Sequence, residues 1–315
     1  MMLSQAITII ESNLEDDWKI STELLEKIIH ATGNAFRIGI TGVPGVGKSS
    51  FIDVLGTHIT SLGKKLAVLT VDPSSQLSKG SILGDKTRME ELSRQPLAYI
   101  RASPSGSTLG GVAQKTNDVV LLCEAAGFDI IIIETVGVGQ SEITVKNLTD
   151  FFLLLMLAGA GDELQGIKKG ITEVADAVVI TKADGENIKE ASAAKASLEH
   201  ALHLTESPSS RWKTKVITAS ARTKTGIEEV WNMISAYRDQ MMQDGTLQLR
   251  RRQQKIDWLD IYFKELLNSD ISSNEGVQAE IKKLETLLIE KKISAHGAAE
   301  KLLAAYHREI RRAGK

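Results

Sequence analysis

The sequence predicts an α/β fold, a doubly wound and mostly parallel sheet flanked by helices. Short β-rich runs alternate with helical stretches between residues 36 and 218, which is the pattern of a sheet built from strand–helix–strand units. Some runs are continuously apolar, as in Ile130-Ile131-Ile132-Ile133, and this suits strands that are buried on both faces. A glycine-rich loop follows the first run, at the strand end where such sheets bind ligands. The predicted strands are residues 36–41, 66–71, 98–101, 129–133, 151–157, 177–181 and 215–218.

Helices are predicted at both ends of the chain. Apolar residues recur at helical spacing over residues 3–32, which indicates two amphipathic helices that cover one side of the sheet. After Asp244 the strand signals stop, and Arg250-Arg251-Arg252 begins a helical tail that contains a polar linker at 268–274. The predicted parts are an N-terminal helical extension at 1–34, the α/β domain at 35–245 and a C-terminal helical arm at 246–315.

Two apolar stripes mark the C-terminal arm, one on each side of the linker. Stripes of this kind usually pack against their own domain. The predicted sheet already has enough helices, so a dimerisation arm is an equally good interpretation. The stripes are Ile256, Leu259, Phe263, Leu266 and Leu267, and then Val277, Ile281, Leu284 and Leu288.

The composition argues against several kinds of partner. The 315 residues carry a net charge of −2, so we expect neither nucleic acid nor an anionic membrane as a partner. The N-terminus resembles neither a signal peptide nor a transit peptide, and the apolar run 151–158 is only strand-sized. The one cysteine, Cys123, lies in an apolar stretch, which excludes an internal disulfide and predicts a buried thiol. We therefore expect a soluble, cytoplasmic protein.

The most specific motif is Gly42-Val43-Pro44-Gly45-Val46-Gly47-Lys48-Ser49-Ser50, which follows a predicted strand and precedes a predicted helix. This is the phosphate-binding loop G-x-x-x-x-G-K-[ST] in its required context. The glycines let successive backbone N–H groups point at phosphate oxygens, while Lys48 can reach the β- and γ-phosphates and the Ser49 hydroxyl can ligate Mg²⁺. A chance glycine-rich turn would not need this context. The motif therefore predicts binding of a nucleoside triphosphate.

Two carboxylates follow predicted strands and are candidate ligands of Mg²⁺. Asp72 comes after the strand at 66–71, and Glu134 comes after the run that ends at Ile133. Mg²⁺ requires hard oxygen ligands, and the ends of parallel strands lie beside the phosphate loop. Either carboxylate could instead cap the following helix, although a phosphate loop in the same sheet favours the metal site.

Loops after these two strands are candidate switch segments. Residues 72–75 with 80–88, and residues 134–142, are rich in glycine and small polar residues and could order around a γ-phosphate. Gln140 is a candidate for positioning the attacking water. Lys86 and Arg88 could supply positive charge to the transition state, and a solvated surface role fits them equally well.

A third group of residues predicts which base is bound. In Thr181-Lys182-Ala183-Asp184, the carboxylate can accept from N1–H and the exocyclic amine of guanine, a donor pair that adenine lacks. The stem of Lys182 can lie along the base. After the last strand, Ser220-Ala221-Arg222 is placed to offer backbone N–H groups to the guanine carbonyl. The sequence therefore favours GTP over ATP.

Together these motifs resemble the GTPases associated with methylmalonyl-CoA mutase, the MeaB and MMAA type, also catalogued as LAO/AO transport ATPase or ArgK. The resemblance covers nearly the whole chain. Beyond the phosphate loop, it rests on Asp72-Pro73-Ser74-Ser75, Gly84-Asp85-Lys86-Thr87-Arg88-Met89, Arg101-Ala102-Ser103-Pro104-Ser105-Gly106, Glu134-Thr135-Val136-Gly137-Val138-Gly139-Gln140-Ser141-Glu142 and Gly159-Ala160-Gly161-Asp162-Glu163-Leu164-Gln165-Gly166-Ile167-Lys168-Lys169-Gly170.

The resemblance implies a homodimeric GTPase chaperone that guards loading of adenosylcobalamin into an acyl-CoA mutase. It also implies Mg²⁺ near Ser49, Asp72, Asp85 and Glu134, a partner-responsive switch at residues 162–169, and a dimerisation role for the helical tail. Arg222 matches the family pattern. Thr181 stands where guanine motifs ordinarily have Asn, and its hydrogen-bonding side chain has a shorter reach.

Two other functions remain open at this stage. The ArgK name suggests a kinase that phosphorylates a transport protein, but no phosphoacceptor-binding motif is visible. Related GTPases deliver nickel or cobalt ions, but such proteins generally carry a Cys or His cluster that this sequence lacks. Hydrolysis of GTP coupled to a protein partner is the leading hypothesis.

Overall fold

A computed structural model describes residues 2–12, 14–72, 88–104, 109–135, 146–158, 175–205 and 212–313. The chain forms two compact units, Met1–Gln254 and Lys255–Lys315. None of the helices in the described part of the chain is long and apolar enough to cross a membrane. The predicted boundaries at residues 34 and 245 stay predictions.

The first unit is built on a seven-stranded sheet in the order β3-β2-β4-β1-β5-β6-β7. All six neighbouring pairs are parallel, which confirms the predicted doubly wound α/β fold. The strands are β1 Phe36–Gly42, β2 Leu66–Asp72, β3 Ala98–Pro104, β4 Ile130–Thr135, β5 Phe151–Leu157, β6 Ala177–Thr181 and β7 Lys215–Thr218.

Ten α-helices are described, and two of them precede the sheet as predicted. Helices α1 and α2 pack against α5, which in turn packs against β2. The helices are α1 Met2–Glu11, α2 Glu15–Ile28, α3 Lys48–Ser61, α4 Glu90–Ser93, α5 Leu109–Ala125, α6 Ile188–Thr205, α7 Ile227–Gln243, α8 Thr246–Ser273, α9 Glu275–Ile289 and α10 Ala295–Ala313.

Four strands run further toward their carboxyl ends than the sequence predicts. Parallel pairing explains the extension, because Asp72 still pairs with Pro104 and Val71 with Thr135. Glu134 therefore lies inside β4 and not in the loop after it, which corrects its predicted placement. Its neighbours on the strand are buried, so its position is set by the sheet.

The core lies on both faces of the sheet. One face packs alternate strand residues against α3, α4 and α7, and the other face carries α5 with its buried Val119, Val120 and Cys123. Every residue of β1 and β4 is buried, as the continuous apolar runs predict. Burial, followed by the nearby Glu124, raises the pKa of the Cys123 thiol to about 12, so this cysteine is an unreactive core residue.

The C-terminal helices differ from the prediction at the linker. Residues 268–273 continue α8, and the break comes at Asn274, whose side chain accepts from the Val277 N–H at 3.0 Å and so caps α9. Within the second unit the Tyr306 hydroxyl donates to the Asp270 carboxylate at 2.6 Å. The polar composition of this stretch therefore marks an exposed helix end and not a flexible connection.

A buried ionic cluster lies at the amino end of the sheet, centred on Asp150. This residue is fully buried just before β5, and its carboxylate accepts from the Arg37 backbone N–H at 2.8 Å and from the Arg251 Nε at 2.8 Å. The same Arg251 guanidinium donates to the Gly33 and Ala35 carbonyls, each at 2.5 Å. One arginine on α8 therefore joins three chain segments.

More contacts hold the first turns of α8 at this point. Arg250 donates to the Asp150 carbonyl at 2.6 Å, and Gln254 donates to the Thr149 carbonyl at 2.9 Å. The Tyr237 hydroxyl, on α7, also donates to the Asp150 carbonyl at 3.2 Å. The start of α8 is therefore part of the sheet domain, consistent with a first unit that ends at Gln254.

We expect Arg251→Met to lower the free energy of unfolding of the first unit by about 3–5 kcal/mol, because it leaves the Asp150 carboxylate buried without its partner. Urea denaturation followed by tryptophan fluorescence measures this loss. The control is Arg238→Met, which removes an arginine paired with the adjacent, exposed Asp239 and should cost less than about 1 kcal/mol. Equal losses in the two variants would contradict the importance of the cluster.

Candidate functional site

The phosphate loop leaves β1 at a point where only glycine fits. Gly42 has φ 153°, and a Cβ on it would lie 2.6 Å from the Leu155 carbonyl oxygen of β5. Gly47 adopts φ 93° and is the residue that precedes α3. The backbone conformation therefore requires glycine at both positions, in addition to the role of these residues in the motif.

The start of α3 is suited to an anion. Its N-cap, Gly47, has no side chain to satisfy the first backbone N–H groups, and the helix dipole puts partial positive charge at this end. The Lys48 ammonium lies beside the loop, where it donates to the Gly42 carbonyl at 2.7 Å and the Val43 carbonyl at 3.3 Å. Burial lowers the pKa of Lys48, and the nearby Glu134 partly offsets this effect.

The end of β6 holds the phosphate loop from outside. The Thr181 hydroxyl lies 2.8 Å from the Val46 carbonyl and 3.2 Å from the Met156 carbonyl, and the Lys182 ammonium donates to the Gly45 carbonyl at 2.8 Å. The shorter reach of threonine is therefore sufficient to contact the loop. The stem of Lys182 is predicted to lie along the base, and its ammonium contacts the phosphate loop.

The predicted base-reading residues lie together at the ends of β6 and β7. The Ser220 hydroxyl donates to Asp184 Oδ2 at 2.5 Å, and the Arg222 guanidinium lies 4.0 Å from Asp184 Oδ1. The Ser220 N–H donates to the Thr225 carbonyl at 2.9 Å, so it is not available to a base carbonyl as predicted. The Ser220 side chain instead orients the Asp184 carboxylate, and backbone N–H donation by Ala221 and Arg222 stays a prediction.

A cavity of about 340 Å³ connects the phosphate loop to these residues. It is lined by Gly47 and Ser50 on one side and by Lys182, Asp184 and Ala221 on the other. A space of this size, with the start of α3 on one side and the Asp184 carboxylate on the other, fits a purine nucleotide. Phe51 also lines the cavity, although an apolar residue at helical spacing is typical of the core and carries no signal of a ligand site in the sequence.

The predicted metal ligands are described only in part. Ser49 Oγ donates to Glu134 Oε1 at 3.3 Å, so the hydroxyl of the loop and the carboxylate of β4 lie side by side. The side chain of Asp72 and all of Asp85 and Gln140 lie outside the described residues, as does Lys86. Within the described ranges, no group of three or more His, Cys, Asp or Glu side chains could hold a metal ion. The Arg88 side chain is exposed.

We expect Thr181→Val to weaken binding of guanine nucleotides about fivefold, because the buried Val46 carbonyl loses its hydroxyl donor and the phosphate loop loses a contact. Titration with a fluorescent GDP analogue measures the change. Thr181→Ser keeps the hydroxyl and should stay within about twofold of the unsubstituted protein. If the two variants bind equally, the contact does not hold the loop.

Comparison with known proteins agrees with this geometry. A protein-family model described as "Methylmalonyl Co-A mutase-associated GTPase MeaB" matches residues 3–276. The chain is 47% identical over 304 residues to a putative GTPase of Caulobacter vibrioides, covering 96% of this chain and 93% of that protein. It is 42% identical to the mitochondrial methylmalonic aciduria type A homolog of Mus musculus, covering 96% of this chain and 76% of the mouse protein.

A solved structure gives the same result. The crystal structure of LAO/AO transport system kinase matches with a TM-score of 0.74 and 36% identity, covering 97% of this chain and 92% of that chain. Sequence and fold therefore agree over almost the full length. The chain belongs to the MeaB family of methylmalonyl Co-A mutase-associated GTPases, and it is a GTPase that binds guanine nucleotides.

Proposed function

We propose that this GTPase is a chaperone of an adenosylcobalamin-dependent acyl-CoA mutase, which assists loading of the cofactor and protects the enzyme. The family description names methylmalonyl Co-A mutase as the associated enzyme. The observation that carries the proposal is the cavity between the phosphate loop and Asp184. A protein that holds a guanine nucleotide there has two ligand states, and a partner can distinguish them if it binds one state more tightly.

Magnesium is the metal that this site fits. The Ser49 hydroxyl and the Glu134 carboxylate are hard oxygen donors 3.3 Å apart, beside the loop that receives the phosphates. We assign Asp72 and Asp85 as the remaining protein ligands, in line with the resemblance. When bound, Mg²⁺ would neutralise charge on the β- and γ-phosphate oxygens.

Hydrolysis in this proposal depends on positioning and charge, without a covalent intermediate. The backbone N–H groups at the start of α3 and the Lys48 ammonium bind the phosphates and stabilise the charge that develops on them. Asp184, oriented by Ser220, selects the base. Gln140 is assigned to position the attacking water.

The proposal includes a homodimer formed through α8. The stripe residues Ile256, Leu259, Phe263 and Leu266 follow one another at intervals of three and four residues, which is the a/d spacing of a helix seam. All four are exposed, with Leu259 at 71% and Phe263 at 58%. The second predicted stripe differs, because Val277 and Leu284 are buried.

A second copy of the chain is the occupant that best fits this face. The seam is self-complementary in an antiparallel or parallel pair, because the same apolar positions recur on both copies. Exposed apolar faces of this kind are uncommon on monomeric proteins.

A cytoplasmic location stays a prediction from the sequence.

The proposed partner can be tested by affinity capture from the native host. The tagged protein loaded with a non-hydrolysable GTP analogue should retain a cobalamin-dependent acyl-CoA mutase, and the amount retained should change when GDP replaces the analogue. Asp184→Asn is the control, because it removes the carboxylate that reads guanine and should abolish the nucleotide dependence. Capture of no cobalamin enzyme in either state would overturn the chaperone function, while the GTPase activity would stand.

The dimer has its own test. We expect Leu259→Asp combined with Phe263→Asp to raise the dimer dissociation constant about a hundredfold or more, because two carboxylates would be buried in an apolar seam. Sedimentation velocity measures the shift to monomer. Lys264→Asp, on the same helix but off the stripe, should leave the dimer unchanged. A monomeric unsubstituted protein at micromolar concentration would overturn the proposed homodimer.

A further inference from the structure

The short helix α4 is held firmly against α3, the helix that follows the phosphate loop. The Asp53 carboxylate of α3 accepts from the Leu92 N–H at 2.7 Å and from the Glu91 N–H at 3.4 Å. These are orphan donors of the first turn of α4, so a side chain of one helix caps the other.

Apolar packing restricts α4 further. Met89 and Leu92 are fully buried, and Leu92 lies over Gly56 of α3. A Cβ at Gly56 would come within 2.6 Å of Leu92 Cδ2, so the two helices are in close contact at this point. Because both the cap and the packing involve α3, α4 has little freedom to move relative to the phosphate loop.

Glu91 extends from this rigid helix to the loop that carries the base-reading residues. The Lys224 ammonium lies 2.7 Å from the Glu91 carboxylate, and the two side chains are 56% and 50% exposed. Lys224 also has φ 60°, a left-handed conformation that is unfavourable for a residue with a Cβ. Glycine would suit this backbone better, so a lysine at this position carries a conformational cost.

The loop transmits the position of Lys224 to the base-reading carboxylate. The Thr223 N–H donates to the Ser220 hydroxyl at 3.1 Å, and the same hydroxyl donates to Asp184. The Ser220 N–H donates to the Thr225 carbonyl at 2.9 Å. Residues on both sides of Lys224 are therefore hydrogen-bonded to Ser220, and a displacement of the loop would displace the carboxylate.

We propose that Glu91 and Lys224 are positioning residues for guanine recognition. The ion pair joins the base-reading loop to α4, and α4 is held by α3, so the distance between Asp184 and the phosphate loop is controlled from outside the cavity. Neither side chain lines the cavity. The inference rests on the proposed guanine site. The Glu91–Lys224 ion pair would hold the base-reading loop in place, in addition to the contacts that Thr181 and Lys182 make with the phosphate loop.

The test separates recognition from stability through Lys224→Gly. This variant removes the ammonium and relieves the left-handed strain, so its melting temperature should be equal to or higher than that of the unsubstituted protein. Its affinity for GDP should nevertheless fall about two- to fivefold, the range expected for loss of an exposed ion pair. Affinity for IDP, which lacks the 2-amino group, should fall less, so the GDP-to-IDP ratio decreases.

Matched variants complete the experiment. Glu91→Lys combined with Lys224→Glu reverses the pair and should restore the GDP-to-IDP ratio, whereas either charge reversal alone should lower it. Lys264→Gln, which breaks an exposed pair with Asp260 at 2.6 Å on α8, should leave the ratio unchanged.

Two outcomes would overturn the inference. One is an unchanged GDP-to-IDP ratio in Lys224→Gly, because equal weakening of GDP and IDP would mean that the ion pair acts on the phosphates and not on base reading. The other is no recovery of the ratio in the reversed pair. If the unsubstituted protein does not prefer GDP to IDP, the assignment of Asp184 as the base-reading carboxylate is wrong. Loss of preference only in the variants leaves that assignment intact.

Discussion

The structure of the site depends on two carbonyl groups that point away from it. The Gly45 and Val46 carbonyls of the phosphate loop are taken up by the Lys182 ammonium and the Thr181 hydroxyl at the end of β6. The buried Val46 carbonyl needs a partner, and the partners of both carbonyls lie outside the loop, at the end of β6. Since Asp184 follows on the same segment, these contacts also set the distance between the phosphate loop and the Asp184 carboxylate.

Strand β5 connects this constraint to the opposite end of the sheet. It begins next to Asp150, in the ionic cluster with Arg251, and it passes Gly42 at Leu155, whose carbonyl leaves no room for a side chain there. A single parallel strand therefore meets charged groups at its start and the phosphate loop near its end. The apolar side chains between these two ends are packed as densely as in organic crystals, so the two ends of β5 cannot shift independently of each other.

Helix α8 changes character along its length. Its first turns are held by hydrogen bonds from Arg250 and Gln254 to the backbone before β5, whereas Leu259 and Phe263 further along are exposed. An exposed apolar stripe on a helix that is already formed is suited to join a partner, since the helix need not be ordered on binding.

The sequence by itself determined the seven parallel strands and the phosphate loop, because both are written in contiguous residues: apolar runs for buried strands, and glycines with Lys48 for the loop. It also predicted a base-reading role for Asp184 from its place after a strand, and Asp184 lines the same cavity as the phosphate loop. Only the tertiary structure decided how Thr181 acts, since its partner Val46 lies 135 residues away, and that the Ser220 N–H is already used within its own loop. Contacts between distant segments depend on how strands and helices are placed in space, and local patterns in the amino-acid sequence do not predict that placement.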